Sequence, residues 1–332
     1  MSQSGRLGSN WLAWRHDRTL DLASGSRADG PGCADAEKYP ARVRQDEWLP
    51  RAEAHRRRVE PWVSGRLARR PRGEKNAIED FLFDYYPYSP GKLATWHPGF
   101  GVVLEGEHAQ PYLRLTGYRP EGHGATADLA WLEARRPRLE MTLRILNGTS
   151  ARPPVTGCFG LHEWAMTYHL TQDELRHAYL PLRVTPAQVT ETVERIGLRC
   201  THIDAFRFFT PDAVPLNELT PTRDTQPDLE QPGCLHNGMD LYKYAFWFSP
   251  LVSSELVADC FENAALAREL DMRASPYDME PFDLEPVRVE TPEGRAEYVD
   301  LQRELLARTA PLRATLARTL ADLSEERKAP TD

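Results

Sequence analysis

Apolar residues at helical spacing dominate the last third of the chain and constrain its fold more than any other feature. The pattern extends over 235–248, 253–270 and 293–324 of the 332 residues. Apolar positions that recur every three to four residues place one side of each helix against a core. No internal repeat accompanies the pattern, so we expect one helix-rich unit rather than a repeat array.

Alternating apolar residues predict short strands earlier in the chain. They occur around GFGVVLEG and PYLRLTGY, near 102–116, and again over 180–184 and 198–209. The last two strands flank a helix predicted over 185–197, and a strand, helix and strand of this length fit a crossover connection in a sheet. We therefore expect an α+β or mixed α/β fold, with a small mixed sheet and a helix-rich C-terminal part.

The helix predicted over 185–197 has the clearest end signals in the chain. Thr185 is its expected N-cap, Pro186 its first residue and Gly197 its end. Each residue type is typical of that position, because Thr accepts a backbone N–H, Pro lacks one and Gly tolerates the conformation that ends a helix.

Composition divides the chain into three regions. Residues 1–40 are rich in Gly, Ser, Asp and Arg without periodicity, as is typical of a disordered segment or a leader. Residues 41–76 are expected to form a basic helical arm, in which Pro50 and Pro61 mark breaks or first turns. Residues 77–328 are expected to form a single α+β domain.

Two further helices are predicted near the start of that domain. The segment 77–88, AIEDFLFDYYPY, looks like a short amphipathic helix that enters an aromatic turn. The segment 125–147 has helical spacing with a break near Pro137.

Charge is distributed unevenly. The net charge is -8, but residues 1–75 contain 16 Lys and Arg against 10 Asp and Glu, whereas the rest of the chain contains 25 against 39. Proteins that bind a phosphate backbone usually present a basic face. DNA is therefore a candidate partner only through the basic 51–75 region.

The sequence also bears on compartment and partners. It contains no apolar run long enough for a transmembrane helix and no N-terminal signal pattern. Five cysteines without a CxxC pair predict reduced thiols rather than a zinc ribbon. We expect a cytoplasmic protein with no membrane partner, and the oligomeric state stays open.

The segment GCFGLHEWAMTYH, residues 157–169, contains two histidines and a glutamate. On one helix His162 and His169 would share a face about 10 Å apart, because seven residues span two turns. Glu163 would point about 100° away from His162, unlike the arrangement in an HExxH zinc motif. The segment therefore predicts one metal ligand or a catalytic carboxylate for a site that is completed elsewhere.

His202 and Asp204 lie two residues apart in THIDAFRFF. On the predicted strand they share a face with Phe206 and Phe208, whereas Arg207 lies on the other face. Because burying charge is costly unless it is paired, this pattern predicts either a functional site or a satisfied structural pair.

His236 and Asp240 are four residues apart in CLHNGMDLYKYAF and share a helical face. An acidic row at Glu255, Asp259 and Glu262 follows at helical spacing. With the preceding histidines these side chains could complete a metal site, or could form a solvated face. The ExxH pairs of di-iron bundles are absent.

The segment LDMRASPYD, residues 270–278, places Arg273 between Asp271 and Asp278. This arginine could orient a polar ligand or fix the helix end. The sequence contains no P-loop, no Rossmann glycine motif and no GxSxG motif, which disfavours phosphoryl transfer, nicotinamide chemistry and serine-hydrolase chemistry.

Six segments together resemble one family: GEKNAIEDFLFDYY, WHPGFGVVLEG, GCFGLHEWAMTYH, THIDAFRFFTPDAVPLN, QPGCLHNGMDLYKYAF and SELVADCFENAALARELDMRASPYD. They are similar to an actinobacterial family whose members commonly carry the label 3-methyladenine DNA glycosylase, and the resemblance covers about residues 45–325. It implies cleavage of the N-glycosidic bond of an alkylated purine. The LPGxG hairpin and following aspartate of well-described glycosylases are absent.

The implied chemistry needs an aromatic pocket and a carboxylate. An alkylated base is already a good leaving group, so the enzyme needs to stack a flipped base and to stabilise the developing oxocarbenium ion or activate water. The catalytic candidates are Glu163, Asp204, Asp240, His202 and His236. The substrate-binding candidates are aromatic or cationic side chains: Tyr85, Tyr86, Trp96, Trp164, Arg207, Tyr242 and Arg273.

Three functions stay open on the sequence. The first is a hydrolase that is carboxylate-assisted, metal-independent and without a cofactor. The second is an enzyme whose divalent metal is held by His162, His202 and His236 with nearby carboxylates. The third is a non-catalytic binding protein whose polar clusters stabilise the fold.

Overall fold

The computed structural model describes residues 40–326 of the chain. The leader or disordered segment predicted over 1–40 lies, except for its last residue, outside the described residues.

Four short strands form one mixed sheet: β1 (Ala41–Val43), β2 (Val102–Leu104), β3 (Tyr118–Glu121) and β4 (Gly124–Ala127). Their order across the sheet is β1-β2-β4-β3, with β1 parallel to β2 and β4 antiparallel to both of its neighbours. A Cβ atom at Gly124 would lie 2.4 Å from the carbonyl oxygen of Leu104. Only glycine therefore allows β4 to approach β2 this closely.

Helices make up most of the described chain. They are α1 (Gln45–Arg69), α2 (Phe81–Tyr85), α3 (Pro90–Ala94), α4 (Arg136–Ser150), α5 (His162–Ala165), α6 (Pro186–Ile196), α7 (Ile203–Phe206), α8 (Gln226–Leu229), α9 (Leu235–Trp247), α10 (Ser254–Ala274) and α11 (Pro292–Glu326). Short 3-10 helices occupy Arg70–Arg72, Glu107–Arg114, Leu129–Arg135, Gln172–Glu174, Val214–Leu216 and Glu280–Phe282.

Helix α9 forms the centre of the main core. Its side chains from Leu235 to Phe246 are all buried, because α10 and α11 pack against it. A helix that is buried on every side needs apolar or internally paired residues around its whole circumference. A second core cluster joins α5, α6 and α7 to the C-terminal part of α10, through side chains that include Leu161, Trp164, Val193, Phe206 and Leu270.

The predicted fold class is confirmed, with a small mixed sheet and a helix-rich C-terminal part. The three C-terminal helices lie close to their predicted bounds, and α6 begins as expected, with the Thr185 side chain accepting a hydrogen bond from the backbone N–H of Gln188. Gly197 ends α6 with a positive φ of 80°.

The prediction of strands over 180–184 and 198–209 is wrong. Leu182 and Leu198 each form only an isolated bridge, with Tyr277 and Asn217, and 203–206 is the helical turn α7. The alternation that predicts a strand is also compatible with a short helical turn whose polar side chains have buried partners. Within 40–326 the predicted crossover connection does not occur, and the sheet uses other strands.

Two other segments differ from their predicted structure. The first residues of the helix predicted over 125–147 belong to β4, and the α-helix itself begins at Arg136. The first half of PYLRLTGY lies in the 3-10 helix Glu107–Arg114 rather than in a strand. The short segment around Ala125 forms a strand because it pairs with β2 and β3. The spacing of its own apolar residues does not predict this pairing.

Helix α1 is continuous, and the breaks expected at Pro50 and Pro61 do not occur. A proline inside a helix costs about 3 kcal/mol. Packing offsets this cost, because Val59 and Trp62 of α1 lie in the main core and the Trp62 ring is 5.3 Å from that of Phe261 on α10. The division of the chain at residue 76 stays a prediction.

Arginines in the basic 51–75 region are largely paired within the protein. Those with a carboxylate partner are Arg51, Arg56, Arg57, Arg58, Arg66, Arg69 and Arg72. Pairing reduces the positive charge that this surface presents to a phosphate backbone. Across the part of the chain that is described, no helix is both long and apolar enough to cross a bilayer.

Arg58 fixes α1 to α10. Its Nε lies 2.7 Å from Oε1 of the buried Glu262 and its Nη2 lies 2.6 Å from Oδ1 of Asp259. We expect Arg58→Ala to lower the free energy of unfolding by about 3 kcal/mol, because Glu262 stays buried without its nearest cation. Arg57→Ala, which removes an exposed pair with Glu53, should cost less than about 0.5 kcal/mol. Equal losses in urea unfolding of the two variants would contradict this assignment.

Candidate functional site

Three histidines from distant parts of the sequence form a buried row. The ring centroids of His162 and His236 are 4.5 Å apart, and those of His202 and His236 are 5.5 Å apart. His162 begins α5, His202 precedes α7 and His236 lies in the first turn of α9. The structure therefore brings together the three histidines that the sequence suggested as metal ligands, although it places His202 on a helix N-terminus rather than on a strand.

The first end of the row is an ionic cluster around Asp271. Nε2 of His162 lies 2.6 Å from Oδ1 of Asp271, and Nη1 of Arg268 donates to Oδ2 of Asp271 at 2.8 Å. The same Nη1 donates to Oε1 of Glu163 at 2.8 Å. Arg268 and Asp271 are one turn apart on α10, so a single helical turn positions both charges toward α5.

The other end of the row is a cluster around His202. Its Nε2 lies 3.2 Å from Oδ2 of Asp240 and 3.1 Å from Oε1 of Glu230. Asp240 is also bound by Lys243 and accepts a hydrogen bond from the Tyr86 hydroxyl at 2.9 Å. Glu230 accepts hydrogen bonds from the amides of two further buried residues, Gln226 and Asn237.

Asp204 extends this cluster toward the surface. Its carboxylate is bound by the Arg223 guanidinium, and Nζ of Lys243 lies 3.4 Å from Oδ2. Nε of Arg207 lies 3.3 Å from Oδ1. Although burial raises the pKa of Asp204, the Arg223 hydrogen bond and the Lys243 charge outweigh it and hold that pKa below its ordinary value.

The histidines differ in charge because their partners differ. Burial lowers the pKa of His202, but Glu230 and Asp240 more than compensate and raise it to about 10. Burial lowers the pKa of His236 to about 3, and the neighbouring His162 adds to that effect. His202 is therefore an imidazolium at neutral pH, whereas His236 is neutral.

Two ring nitrogens of the row lack hydrogen-bond partners. Nδ1 of His202 and Nδ1 of His236 are both buried without one among residues 40–326. An unsatisfied buried polar atom costs about 1–3 kcal/mol, so a native structure seldom retains one without compensation.

A small cavity lies beside the His162 end of the row. His162 and His236 line it with the three thiols of Cys158, Cys200 and Cys234. The space open to the centre of a water molecule is about 20 Å³, which is enough for one water molecule or ion.

A larger cleft opens on the other side of Arg268. Its volume is about 370 Å³, and its lining combines cationic side chains (Lys75, Arg176, Arg207) with aromatic rings (Phe81, Tyr85, Tyr179, Phe208), together with Asn76, Ala77, Asp84 and His177. The Arg268 guanidinium carbon lies 3.8 Å from the Phe81 ring centroid. Arg268 therefore lies between the cleft and the buried row.

The predicted substrate-binding residues are spread over the molecule. Tyr85 and Arg207 line the cleft, and Tyr86 contacts Asp240 from inside the core. Trp164 and Tyr242 are fully buried in the two main core clusters.

The other two predicted residues lie elsewhere. Trp96 stacks on Trp48 with ring centroids 6.2 Å apart, in a cluster next to the sheet. Arg273 donates from Nε to the carbonyl oxygen of Glu285 at 2.9 Å, as expected of a side chain that fixes the helix end.

The geometry predicted for His162 and His169 is wrong. Helix α5 ends at Ala165 and His169 has a positive φ of 58°, so the two histidines do not share a helical face. Nδ1 of His169 lies 2.9 Å from Oδ2 of Asp212 at the surface. The acidic row on α10 is likewise not part of the histidine row, because Asp259 and Glu262 pair with Arg58.

Sequence reasoning did not find several partners that complete the clusters. Glu230 and Arg223 come from the Pro-rich segment 210–234, which has no periodicity to mark them. Arg268 has a local signal, since it lies one turn before Asp271 on a helix with many buried apolar residues.

No family model, curated protein or solved structure shows significant similarity to this chain.

The charge on His202 predicts a pH dependence of stability. Its folded pKa of about 10 lies above the ordinary value of 6.5, so its stabilisation is complete below about pH 6.5 and is lost as pH rises through the folded pKa. We expect the free energy of unfolding to fall between pH 7 and 10 by up to about 1.4 kcal/mol per pH unit from this group.

The matched variants are His202→Gln, which should be less stable but flatter over this range, and His169→Gln, an exposed control that should keep the wild-type slope. Urea unfolding at a series of pH values measures the three slopes. Identical slopes in wild type and His202→Gln would show that His202 does not carry this charge.

Proposed function

We propose that the protein is a hydrolase that removes an alkylated purine from DNA by cleaving its N-glycosidic bond in the cleft beside Asp204. The observation that carries the proposal is a cleft lined by aromatic rings and cationic side chains, one of which, Arg207, contacts the buried anionic carboxylate of Asp204. The resemblance to the family labelled 3-methyladenine DNA glycosylase supports the same chemistry.

The cleft lining suits a nucleotide. Tyr179 is 46% exposed, so its ring is accessible for stacking, and Nζ of Lys75 lies 5.6 Å from its centroid. The guanidinium carbons of Arg176 and Arg207 lie 4.0 Å and 4.4 Å from the Phe208 centroid. Rings and guanidinium planes stack on bases, and the cations pair with phosphates.

Asp204 is the favoured catalytic candidate. Arg207 lines the cleft and contacts the Asp204 carboxylate, and the hydroxyl of Tyr85, also in the lining, donates to the Asp204 carbonyl oxygen at 3.4 Å. A carboxylate whose pKa is held low remains an anion. It therefore suits electrostatic stabilisation of an oxocarbenium ion better than proton abstraction.

Glu163 is the second carboxylate near the cleft. Arg268 holds its Oε1 and contacts the cleft residue Phe81. Asp240 is more remote, because Tyr86, His202 and Lys243 surround its carboxylate in the core. Asp204 and Glu163, which each contact a residue at the cleft, are thus preferred to Asp240. Asp84 lines the cleft but is exposed and pairs with Arg66.

The metal-dependent alternative has less support for chemistry in this cleft. The histidine that lines the cleft is His177, whereas His162, His202 and His236 are not part of the lining. A metal ion held by those three side chains would lie behind Arg268 rather than against a bound substrate.

Release of 3-methyladenine from methylated duplex DNA tests the proposed reaction. We expect wild-type protein to release the base and Asp204→Asn to lower kcat about 100-fold or more, as for the loss of one preorganised electrostatic group. Asp212→Asn removes an exposed carboxylate that pairs with His169 and should keep wild-type activity. Thermal melting must show that both variants fold. No release by folded wild-type protein at high enzyme concentration would exclude the proposed reaction.

DNA affinity tests the cationic part of the cleft separately. Lys75→Ala and Arg176→Ala should each weaken binding about 10-fold and make it less dependent on salt, because each variant loses one phosphate partner. Arg136→Ala is the control, because Arg136 forms an exposed pair with Glu140 on α4. Fluorescence anisotropy at several salt concentrations measures the effect. Equal affinity of all three variants would remove the cleft from the DNA-binding surface.

A further inference from the structure

The small cavity beside His162 is a second potential site, separate from the cleft. His162 and His236 line it, and three side chains here each offer one ligand atom: a ring nitrogen of His162, a ring nitrogen of His236 and a carboxylate oxygen of Asp271. These atoms all lie within 4.8 Å of one another. The side chains come from α5, α9 and α10, so the fold brings the three donors together from three different elements.

His236 provides the independent observation that this cluster is built to bind something. Its side chain is 96% buried, it lines the cavity, and its Nδ1 has no hydrogen-bond partner among residues 40–326. The neighbouring His162 and His202 rings contact the His236 ring, but neither donates a hydrogen bond to its Nδ1. An ion in the cavity would satisfy an atom that the protein otherwise leaves unpaired.

We propose that His162, His236 and Asp271 bind one divalent transition-metal ion at this cavity. Two imidazoles and one carboxylate are a donor set of zinc and of non-haem iron sites, and they disfavour Mg²⁺ and Ca²⁺, which take oxygen ligands. The room for a single water-sized particle limits the site to one ion with at most one further small ligand.

The cysteines around the cavity strengthen the choice of metal. Cys158, Cys200 and Cys234 line the same space, and all three are free thiols. Thiolates are soft ligands that select zinc, iron or copper over the hard alkaline-earth ions. None of their sulfur atoms is among the donor atoms that lie within 4.8 Å of one another, so a fourth donor from this wall requires a cysteine side chain to move toward the ion and to release its proton when the metal binds.

The His202 cluster is an internal comparison with the same types of donor. His202, Glu230 and Asp240 also offer ligand atoms within 4.8 Å of one another. The carboxylates of both clusters have partners within the protein: Gln226, Asn237, Tyr86 and Lys243 in this cluster, and Arg268 at Asp271. The two clusters differ at the small cavity, which is lined by His162 and His236 but by none of the three side chains of the His202 cluster. We therefore assign the ion to the His162 cluster alone.

The assigned ion has a structural role that does not depend on the proposed hydrolase. It would join α5 to α9 and α10 behind Arg268, without contact with the cleft. Because a metal that binds only the folded state stabilises it in proportion to the logarithm of its concentration over Kd, its effect is measurable as a shift in Tm without any assay of activity.

The test begins with the wild-type chain, purified without a metal-affinity resin and stripped with a chelator. We expect Zn²⁺, Fe²⁺ or Co²⁺, added under anaerobic conditions, to bind at one equivalent per chain after desalting, as measured by elemental analysis, and to raise Tm. Co²⁺ bound to nitrogen and oxygen ligands at the site should also give visible absorption bands. Stripped wild-type protein that takes up less than a stoichiometric amount of all three ions and shows no change in Tm would overturn the proposal.

Matched histidine variants then locate the ion. His236→Gln should weaken Co²⁺ binding at least about 100-fold, because removing a ligand costs more than removing an outer hydrogen bond. His202→Gln, an equally buried histidine of the same row, should keep the affinity within a few-fold. The reverse order of the two effects would place the ion in the His202 cluster and overturn the assignment. If His236→Gln does not fold, Asp271→Asn takes its place, with the same expected loss.

Discussion

Compensation of buried charge is the constraint on which the rest of this structure depends. Asp240, Asp271 and Glu230 have almost no exposed surface, and an isolated carboxylate in such surroundings is strongly disfavoured. Each therefore requires cations and hydrogen-bond donors at fixed positions. The helices α5, α7, α9 and α10 meet where those donors are supplied, so the pairing of charges specifies how these helices are arranged.

This constraint also explains why a long irregular segment is well positioned. Residues 210–234 contain little regular structure, yet Arg223 binds Asp204 and Glu230 binds His202. Gly233 adds a close backbone contact, because a Cβ atom there would lie 2.4 Å from the carbonyl oxygen of Val155. Ion pairs and one close backbone contact thus fix the position of residues 210–234. The inward-facing residues of this segment form part of the core.

The elements that can be predicted from the sequence are those whose signals lie within the element itself. The end signals of α6 and the spacing of α9, α10 and α11 come from neighbouring residues, and these helices form where expected. The predicted strand at His202 does not form, because alternation over a few residues does not distinguish a strand from a helical turn with buried polar partners. The site depended on pairs such as His162 with Asp271, which are 109 residues apart, and no local pattern encodes such a pair.

The long separation of these partners has a consequence for how the molecule folds. Glu163 and Arg268 are 105 residues apart, and His162 and Asp271 are 109 apart. A partly folded chain in which α9 and α10 are packed, but in which the segment around α5 is not, leaves Arg268 and Asp271 without two of their partners. Such a form loses stabilisation from several contacts at once, so intermediates of this kind should be sparsely populated. The charged contacts thereby couple the docking of α5 to the packing of α9 and α10.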